Sequence, residues 1–411
     1  MKILIVTQYF YPENLPINNI ASLLAKDKVQ IDILTGKPNY PDGVFIKPHS
    51  FFSKIVERNK NFTIYRFPLI PRGRKNKRIG LIFNYLSFVL SAIVLSPFFF
   101  FKKKYDYIFV YANSPITKAI PAIFIGKFLK VPVILWVQDL WPDNVINSGL
   151  KLPKSLYRVI FFITAFIYKK VDLIATQSED FINKIKNDFG TKDEKLYYLP
   201  NTIDEIFLEE NEDVNLPKKL LEKKDSFKIL FTGNISRHQG LEDLLAVSEL
   251  IEKELETKRK IEFFLVGEGS QKKHLENIII KKEINNVHFL GSFPLKEMPA
   301  FIKKSDALFI SLKADQNYNL TIPNKLQSYL ASSKPIIGNI GGVSKKIILE
   351  SEAGFVSEPG DVYKLADIII KMSKISKKQL EEIGKNGTNY YRDNFSNEVF
   401  LKNFRRLLTK I

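Results

Sequence analysis

Short apolar runs recur along this chain, and the stretches between them are long enough to form helices. In the first half the runs cover 2–7, 29–35, 62–68, 106–112, 131–137 and 171–176, with a helix predicted at 17–26. The second half repeats the pattern, with strands predicted at 228–232, 262–266, 287–290, 307–311 and 335–338 and helices near 240–256, 270–282 and 324–331. Strands that are apolar throughout are typical of parallel sheets with helices on both faces. We therefore predict an α/β chain of two similar halves, joined by the polar stretch 203–226.

The length and the charge of the chain narrow its class. At 411 residues it exceeds one ordinary hydrophobic core, so two domains are expected. The formal net charge of +18 favours an anionic partner, and charge alone leaves open nucleic acid, anionic lipid or a phosphorylated substrate. Four scattered histidines, no cysteine and no Asp-x-Asp pair predict that the chain holds no metal site and works without a metal cofactor.

The segment 79–101 breaks the pattern of a soluble chain, because it carries no charged residue and is long enough to cross a bilayer. Basic residues flank it on both sides: Arg72, Arg74, Lys75, Lys77 and Arg78 before it, and Lys102, Lys103 and Lys104 after it. Asn84, Ser87 and Ser91 form a polar stripe at helical spacing within it. We favour docking at the membrane interface, while a buried helix and a spanning helix remain alternatives. The aromatic stretch 157–168 could widen the same surface.

Several loops at the predicted carboxyl ends of strands carry candidate chemistry, since a cleft opens there in parallel sheets. The loop after the first strand has no glycine, which counts against a dinucleotide-binding oxidoreductase. Asp139 lies between the two tryptophans, Trp136 and Trp141, and either caps the following turn or contacts a substrate. In the second half, glycine turns at Gly233 and Gly267 follow strands, and Lys325 lies in the first turn of a predicted helix. Helix starts of this kind favour anions, so these loops predict an anion site.

Taken in order, the loop motifs resemble those of the retaining family 4 glycosyltransferases with the GT-B fold. The resemblance is to the L-fucosamine transferases and colanic-acid-type transferases of bacterial surface polysaccharide synthesis in particular. The motifs that carry it are YFYPE at 9–13, LTGKPNYP at 34–41, DLWP at 139–142, PNTID at 200–204, GNI at 233–235 with QGL at 239–241, and the segment 322–337.

This resemblance implies two Rossmann-like domains with parallel sheets facing a central cleft. The expected divisions are an acceptor domain at 1–202, which includes the membrane-docking segment 79–101, a nucleotide-sugar domain at 203–385, and a C-terminal helical segment at 386–411 that returns toward the first domain. The catalytic residues expected from the loops and the resemblance together are Asp139, Lys325 and Arg237. The donor-binding residues are Gly233, Asn234, Gln239, Gly267, Gln327 and Ser328. The acceptor-side residues are Asn14, Asn18, Asn39 and Asn113.

The chain also departs from the wider family at three positions. Asn234 and Gln239 stand where an arginine and a lysine are usual, and Ser328 stands where a glutamate usually holds the ribose. A catalytically silent nucleotide-binding subunit at the membrane is therefore the alternative to an active enzyme.

The expected activity is transfer of a sugar such as L-FucNAc from a UDP-sugar to a polyprenyl-diphosphate-linked saccharide. The expected place is the cytoplasmic face of the inner (plasma) membrane, where the protein would be peripheral or monotopic. An anionic membrane surface is then a partner. Nucleic acid is not, since the basic residues adjoin an apolar helix and do not form a groove.

Overall fold

The computed structural model describes residues 1–73, 78–147, 153–209, 214–223, 225–254 and 259–411. The chain forms two compact units. Unit 1 comprises Met1–Pro200 with Phe400–Ile411, and unit 2 comprises Asn201–Val399.

Unit 1 is built on an eight-stranded sheet in the order β3-β4-β2-β1-β5-β6-β7-β8. Its strands are β1 (Lys2–Val6), β2 (Gln30–Gly36), β3 (Val56–Arg58), β4 (Phe62–Phe67), β5 (Tyr107–Ala112), β6 (Val133–Val137), β7 (Leu173–Thr176) and β8 (Leu196–Tyr198). All neighbours are parallel except β3, which runs antiparallel to β4. The helices of this part of the chain are α1 (Pro16–Lys26), α2 (Arg78–Phe100), α3 (Ala119–Leu129), α4 (Asp143–Asn147), α5 (Lys154–Lys170) and α6 (Glu179–Phe189).

Unit 2 is built on a six-stranded parallel sheet in the order β11-β10-β9-β12-β13-β14. Its strands are β9 (Phe227–Thr232), β10 (Ile261–Val266), β11 (Val287–Gly291), β12 (Ala307–Ser311), β13 (Ile336–Asn339) and β14 (Gly354–Ser357). The helices from residue 218 onward are α7 (Lys218–Glu222), α8 (Glu242–Glu254), α9 (Lys272–Lys282), α10 (Met298–Lys303), α11 (Gln316–Asn319), α12 (Asn324–Ala331), α13 (Gly342–Glu350), α14 (Val362–Lys374), α15 (Lys377–Asn394) and α16 (Asn397–Leu408).

The predicted α/β class with two mainly parallel sheets is confirmed. The sequence prediction missed β3, β8 and β14, which are three or four residues long and mostly half-buried or exposed. Such strands lack the continuous apolar run by which the central strands were found.

The strand order of each sheet reverses at one point, between β1 and β5 in unit 1 and between β9 and β12 in unit 2. Loops that leave a parallel sheet on either side of such a point run in opposite directions and open a crevice at the carboxyl ends of the strands. The candidate site residues of each unit should therefore lie there.

The last helix completes the core of unit 1. From Phe400 onward α16 packs Phe400, Phe404 and Leu407 into the cluster that contains Trp136. The rings of Phe400 and Trp136 are 5.6 Å apart, and the Trp136 indole N–H donates to the Leu199 carbonyl at 2.9 Å. The indole is therefore a core group with its one donor satisfied.

Helix α2 directs its polar side chains toward the protein and its apolar side chains outward, which is the reverse of an ordinary surface helix. The predicted polar stripe faces unit 1: Asn84 is fully buried and donates to the Ile70 carbonyl at 2.7 Å, and the Ser91 hydroxyl donates to the Pro68 carbonyl at 2.6 Å. The opposite face is exposed and apolar, and it comprises Ile79, Ile82, Phe83, Leu86, Leu90, Val94 and Phe98. By length and composition, Ile79–Phe100 could cross a membrane. This exposure excludes the alternative of an ordinary buried helix.

The apolar surface continues onto the neighbouring helices of unit 1, since α2 packs on α3 and α3 packs on α5. Phe101 contacts Phe128 with ring centroids 5.9 Å apart, and Phe162 and Phe166 of α5 are exposed. Phe161 is different, because its ring stacks on Phe189 at 4.7 Å. We use the term apolar face for one surface of unit 1. It consists of the exposed apolar side chains of α2 together with Phe101, Phe124, Phe128, Phe162 and Phe166.

Asp32 lies buried in β2 and joins the segment after α2 to the sheet. Its carboxylate accepts hydrogen bonds from the Lys103 ammonium at 2.8 Å and the Tyr105 hydroxyl at 2.6 Å, and Lys2 lies 3.4 Å away. Burial acts to raise the pKa of Asp32, but these hydrogen bonds and charges outweigh it and hold the pKa below its ordinary value.

We predict that Asp32→Asn destabilises unit 1 by about 1.5–3 kcal/mol at neutral pH, because charge-assisted hydrogen bonds to a buried carboxylate are lost. A lowered folded-state pKa means that this stability is present above the unfolded pKa of about 3.9 and is lost as the pH falls through the folded value. Thermal unfolding of both proteins should thus differ at neutral pH and converge below pH about 4. Asp193→Asn is the control, because its ion pair with Lys186 is exposed. Equal unfolding temperatures for Asp32→Asn and wild type at neutral pH would contradict the prediction.

Candidate functional site

In unit 2, the loops that follow β9 and β10 are pressed together at the carboxyl edge of the sheet. The Gly233 N–H donates to the Val266 carbonyl at 2.9 Å, and the Ile235 N–H donates to the Glu268 carbonyl at 2.8 Å. Gly267 has φ +148°, and a Cβ there would lie 1.9 Å from the Gly233 carbonyl oxygen. Only glycine fits such a contact, so the two loops pack backbone against backbone at this edge.

Lys325, in the first turn of α12, lies directly beside this glycine turn. Its ammonium donates to the Gln239 side-chain oxygen at 2.7 Å and lies 3.7 Å from the centroid of the Phe231 ring. A Cβ on Gly233 would be 3.2 Å from Cε of Lys325. Burial lowers the pKa of Lys325 to about 7. The structure therefore brings together Gly233, Gln239, Gly267 and Lys325, all of which the sequence singled out.

Two other predicted residues of this edge, Asn234 and Arg237, are exposed. His238, to which the sequence analysis gave no role, lies near enough to Lys325 for the charge of the lysine to act on its ring. Its ring contacts the Ser236 hydroxyl and packs near Tyr318, with ring centroids 5.9 Å apart. Burial, followed by the charge of Lys325, lowers the pKa of His238. The sequence signal that could have indicated His238 is its position two residues before Gly240, which adopts a left-handed conformation.

The donor-binding assignment of Gln327 needs correction, while that of Ser328 stays a prediction. Gln327 is fully buried, and its amide donates to the Asn201 carbonyl at 2.7 Å, so it joins the start of unit 2 to α12. The Ser328 hydroxyl donates to the Asn324 carbonyl one turn earlier in the helix, at 3.2 Å. Gln327 lies two positions after Lys325 in α12, so helical periodicity turns its side chain away from the lysine, which the motif alone does not reveal.

In unit 1, Asp139 lies at the carboxyl end of β6, and its Oδ2 accepts hydrogen bonds from Ser114. The distances are 2.7 Å to the Ser114 N–H and 2.9 Å to its hydroxyl. The Trp141 indole N–H also donates to the Ser114 hydroxyl, at 3.1 Å. Asp139 thus binds the loop after β5, and the alternative that it caps its own following turn is wrong. Burial raises the pKa of Asp139, although the hydrogen bonds from Ser114 act against this.

Two cations that the sequence analysis did not assign to a site lie at the same edge. The Lys118 ammonium donates to the Asn113 side-chain oxygen and lies 5.6 Å from the centroid of the Tyr9 ring. The Arg72 guanidinium lies 4.8 Å from the same centroid and 5.0 Å from that of Tyr40. The Arg72 Nε donates to the Tyr9 hydroxyl at 3.0 Å. Arg72 therefore belongs to this edge, although the sequence placed it in the basic flank of 79–101.

Three predicted acceptor-side asparagines have other surroundings. The buried carboxylate of Glu13 organises their loops, since it accepts from the backbone N–H groups of Phe10, Asn39 and Tyr40 at 3.0, 2.9 and 2.8 Å. Burial raises the pKa of Glu13 to about 7. The Asn39 side chain is buried on Lys37 and Asn84, and that of Asn18 closes a turn between Glu13 and Tyr11. Asn18 and Asn39 thus hold backbone and neighbouring side chains, while Asn14 is exposed.

Among the residues that the structure describes, no group of three or more histidine, aspartate or glutamate side chains could hold a metal ion.

Comparison with known proteins supplies the class of the molecule. Residues 213–390 match the family model of glycosyl transferases group 1. WbjE of Pseudomonas aeruginosa, named as a probable glycosyltransferase, is 23% identical over 344 residues, which are 81% of this chain and 81% of WbjE. WcaI of Escherichia coli (strain K12), named as a glycosyl transferase of colanic acid biosynthesis, is 24% identical over 351 residues, which are 80% of this chain and 81% of WcaI.

The fold is also that of a solved structure. HepE of Anabaena, in complex with UDP-glucose, superposes with a TM-score of 0.68 at 15% identity, covering 100% of each chain. At this identity the likeness concerns the fold. Together with the match to glycosyl transferases group 1, it identifies the chain as a glycosyltransferase with the GT-B fold.

Proposed function

We propose that the chain is a retaining glycosyltransferase of family 4 that moves a sugar from a UDP-sugar to a lipid-linked saccharide in bacterial surface polysaccharide synthesis. An N-acetylated deoxyhexosamine such as L-FucNAc is the proposed sugar. Support comes from the motifs shared with the L-fucosamine and colanic-acid-type transferases, and from the similarity to WcaI. The UDP-glucose held by HepE supports a nucleotide-sugar donor on the same fold.

The observation that carries the proposal is the half-buried ammonium of Lys325 beside the glycine turn. The ammonium has a neutral oxygen, that of Gln239, as its hydrogen-bond acceptor. Burying a cation without an anion is costly, and a bound diphosphate would offset that cost. The first turn of α12 adds a helix dipole of the sign that favours phosphate. We assign the diphosphate of the donor to this edge of unit 2.

In the proposed reaction the bond between sugar C1 and the diphosphate oxygen breaks, and a bond from C1 to the acceptor hydroxyl oxygen forms on the same face of the ring. The bonding pair of the broken bond stays with the diphosphate, which then also takes the hydroxyl proton. Negative charge grows on the leaving diphosphate in the transition state, so a fixed cation there lowers the barrier. Lys325 supplies this charge in a mechanism that needs no metal.

Asp139 is proposed to orient the acceptor in unit 1. Its Oδ2 is held by Ser114, and among the described residues its Oδ1 has no hydrogen-bond donor. A half-buried carboxylate with one unused oxygen is suited to accept a hydrogen bond from a sugar hydroxyl.

The first test is a transfer assay with UDP-sugars, including UDP-L-FucNAc, and polyprenyl-diphosphate-linked saccharides in detergent micelles. We expect product formation that persists in EDTA and falls strongly in Asp139→Asn, which keeps the shape of the loop. Loss of turnover in EDTA with recovery in Mg²⁺ or Mn²⁺ would contradict the metal-free mechanism. Binding of UDP without transfer to any acceptor would favour the silent-subunit alternative.

Lys325→Ala should weaken the binding of UDP by about 1.5–3 kcal/mol, which is roughly 10- to 150-fold, because one charge-assisted contact is lost. Isothermal titration calorimetry measures this directly. Lys346→Ala is the matched control, since Lys346 is exposed and pairs with Glu350. Asp139→Asn should bind UDP like wild type, because Asp139 lies in unit 1. Unchanged UDP affinity in Lys325→Ala would remove Lys325 from the donor site.

Because the pKa of Lys325 is about 7, the affinity for UDP is expected to depend on pH. Lys325 is charged below this value, and the phosphates of UDP are already ionised above pH about 7. Raising the pH from about 7 to about 9 should therefore weaken binding by up to about tenfold per unit. Lys325→Arg remains charged throughout and should bind without this slope. The same slope in both proteins would show that another group titrates.

We further propose that unit 1 docks on the cytoplasmic surface of the plasma membrane through the apolar face. An apolar helix side is stable against lipid, while the polar stripe of α2 stays on the protein. Lys102 and Lys104 after α2 and Lys169 and Lys170 at the end of α5 are exposed, and each basic residue near an anionic surface adds about 1 kcal/mol. Strands β4 and β5, which precede and follow α2, belong to one sheet, and this supports docking over crossing. The flanking Arg74, Lys75 and Lys77 lie outside the described residues, as does the side chain of Arg78.

Leu90→Asp combined with Val94→Asp should reduce binding to vesicles that contain phosphatidylglycerol by at least about tenfold, since each buried aliphatic side chain contributes roughly 1.5–3 kcal/mol. Vesicle co-sedimentation measures the change, and high salt should weaken binding of the wild type. Ile280→Asp, on the exposed side of α9 in unit 2, is the control. Wild-type affinity in the double variant, or retention in membranes after alkaline extraction, would contradict peripheral docking.

A further inference from the structure

Arg72 and Lys118 are two cations that lie near the ring of the same tyrosine in unit 1. Both charged groups lie within 6 Å of the centroid of the Tyr9 ring, at 4.8 Å for Arg72 and 5.6 Å for Lys118. Neither makes an ion pair with a carboxylate of the described residues; their hydrogen bonds go to the Tyr9 hydroxyl and the Asn113 amide oxygen. The hydrogen-bond acceptors of both cations are therefore neutral.

The burial of these charges makes an anion favourable here. Lys118 is fully buried, and burial lowers its pKa to about 7. Asp139 is the carboxylate that acts most strongly on it and Glu13 acts more weakly, but neither forms an ion pair with it. Burial outweighs these two charges, so the cation is costly to hold there, and a bound anion would offset that cost.

The surroundings fix both cations in place. The rings of Tyr9 and Tyr40 lie against the Arg72 guanidinium, which is thus held by two cation–π contacts as well as a hydrogen bond. Asn84 of α2 accepts from the Tyr9 hydroxyl at 3.1 Å and so positions Tyr9 from the other side. A rigid guanidinium leaves further N–H donors for phosphate oxygens, and a lysine beside it adds a point charge.

The same helix connects this pair with the apolar face. Asn84 lies on the inner side of α2, and Phe83 and Leu86, its near neighbours, lie exposed on the outer side. A ligand with an anionic head and an apolar tail could therefore place its head beside Arg72 while the tail follows the outside of α2.

We propose that Arg72 binds the diphosphate of a prenyl-diphosphate-linked acceptor, and that the buried charge of Lys118 adds to the attraction at this site. This inference rests on the proposed function for the existence of such an acceptor, and it assigns the acceptor's anionic group to this site in unit 1. It also separates the anion sites of the two units, with Lys325 for the donor and Arg72 with Lys118 for the acceptor.

Binding of farnesyl diphosphate to the full chain, measured by calorimetry, tests the proposal. Arg72→Gln should bind it at least about tenfold more weakly than wild type, with UDP affinity unchanged. Arg72→Lys should lie between the two, because it keeps the charge and loses the fork. Arg58→Gln, an exposed arginine of unit 1, should bind farnesyl diphosphate as wild type does. Lys118→Met is the second variant, and its thermal unfolding is measured beside its binding.

Two further ligands test whether the anion is a lipid-linked diphosphate, a free diphosphate or a lipid headgroup. Inorganic pyrophosphate should bind more weakly than farnesyl diphosphate, and equal affinity would overturn the assignment to a lipid-linked acceptor. Vesicles of phosphatidylglycerol should bind Arg72→Gln as they bind wild type, and a parallel loss would assign Arg72 to general lipid contact instead.

The two proposals fail in different ways. Farnesyl diphosphate binding that is unchanged in Arg72→Gln, while lipid-linked saccharides still accept sugar, overturns this inference alone. Arg72-dependent binding without transfer to any lipid-linked saccharide supports the diphosphate site and contradicts the proposed function.

Discussion

A parallel sheet must be covered on both faces, and this requirement determines where the loops and helices of each unit lie. The central strands β1, β5 and β6 are buried almost throughout, so the chain has to cross over the sheet through helices between them. Every crossover returns the chain to the same end of the sheet, and the loops at the other end collect at one edge. Asp139, Ser114 and Tyr9 meet there in unit 1, and Gly233, Gly267 and Lys325 meet there in unit 2.

Helix α2 meets the same requirement in an unusual way. It covers part of the sheet of unit 1 with Phe88, Ala92 and a stripe of hydrogen-bonding side chains, and it leaves long aliphatic and aromatic residues outside. The Phe98 side chain is 81% exposed, so in water this position would provide no stabilisation from apolar burial. The arrangement is consistent with a helix that has protein on one side and lipid on the other. Its inner residue Asn84 also contacts Gln8 and Tyr9, so the apolar face and the edge of the sheet share one element.

Both units hold lysines out of water beside aromatic rings and amide oxygens. Lys325 contacts Phe231 and Gln239, and Lys118 contacts Tyr9 and Asn113. In each case burial lowers the pKa to about 7, because the ammonium loses hydration and forms no ion pair with a carboxylate of the described residues. Asp32 shows the contrast, because its carboxylate has two lysines and a tyrosine around it and serves stability. Charge pairing thus distinguishes groups that hold the fold from groups that can hold a ligand.

The sequence by itself determined the α/β class, the long parallel strands, the helix at 79–101 and the glycine turns at Gly233 and Gly267. These features are local: a continuous apolar run, a charge-free stretch and a glycine turn before a helix can each be recognised within a few residues. Tertiary structure alone decided which side chains share a site. Gln327 and Lys325 are two residues apart, yet helical geometry turns one toward Asn201 and the other toward Gln239. Arg72 reached Tyr9, 63 positions away, through the fold of the sheet, and no spacing in the sequence could have indicated that contact.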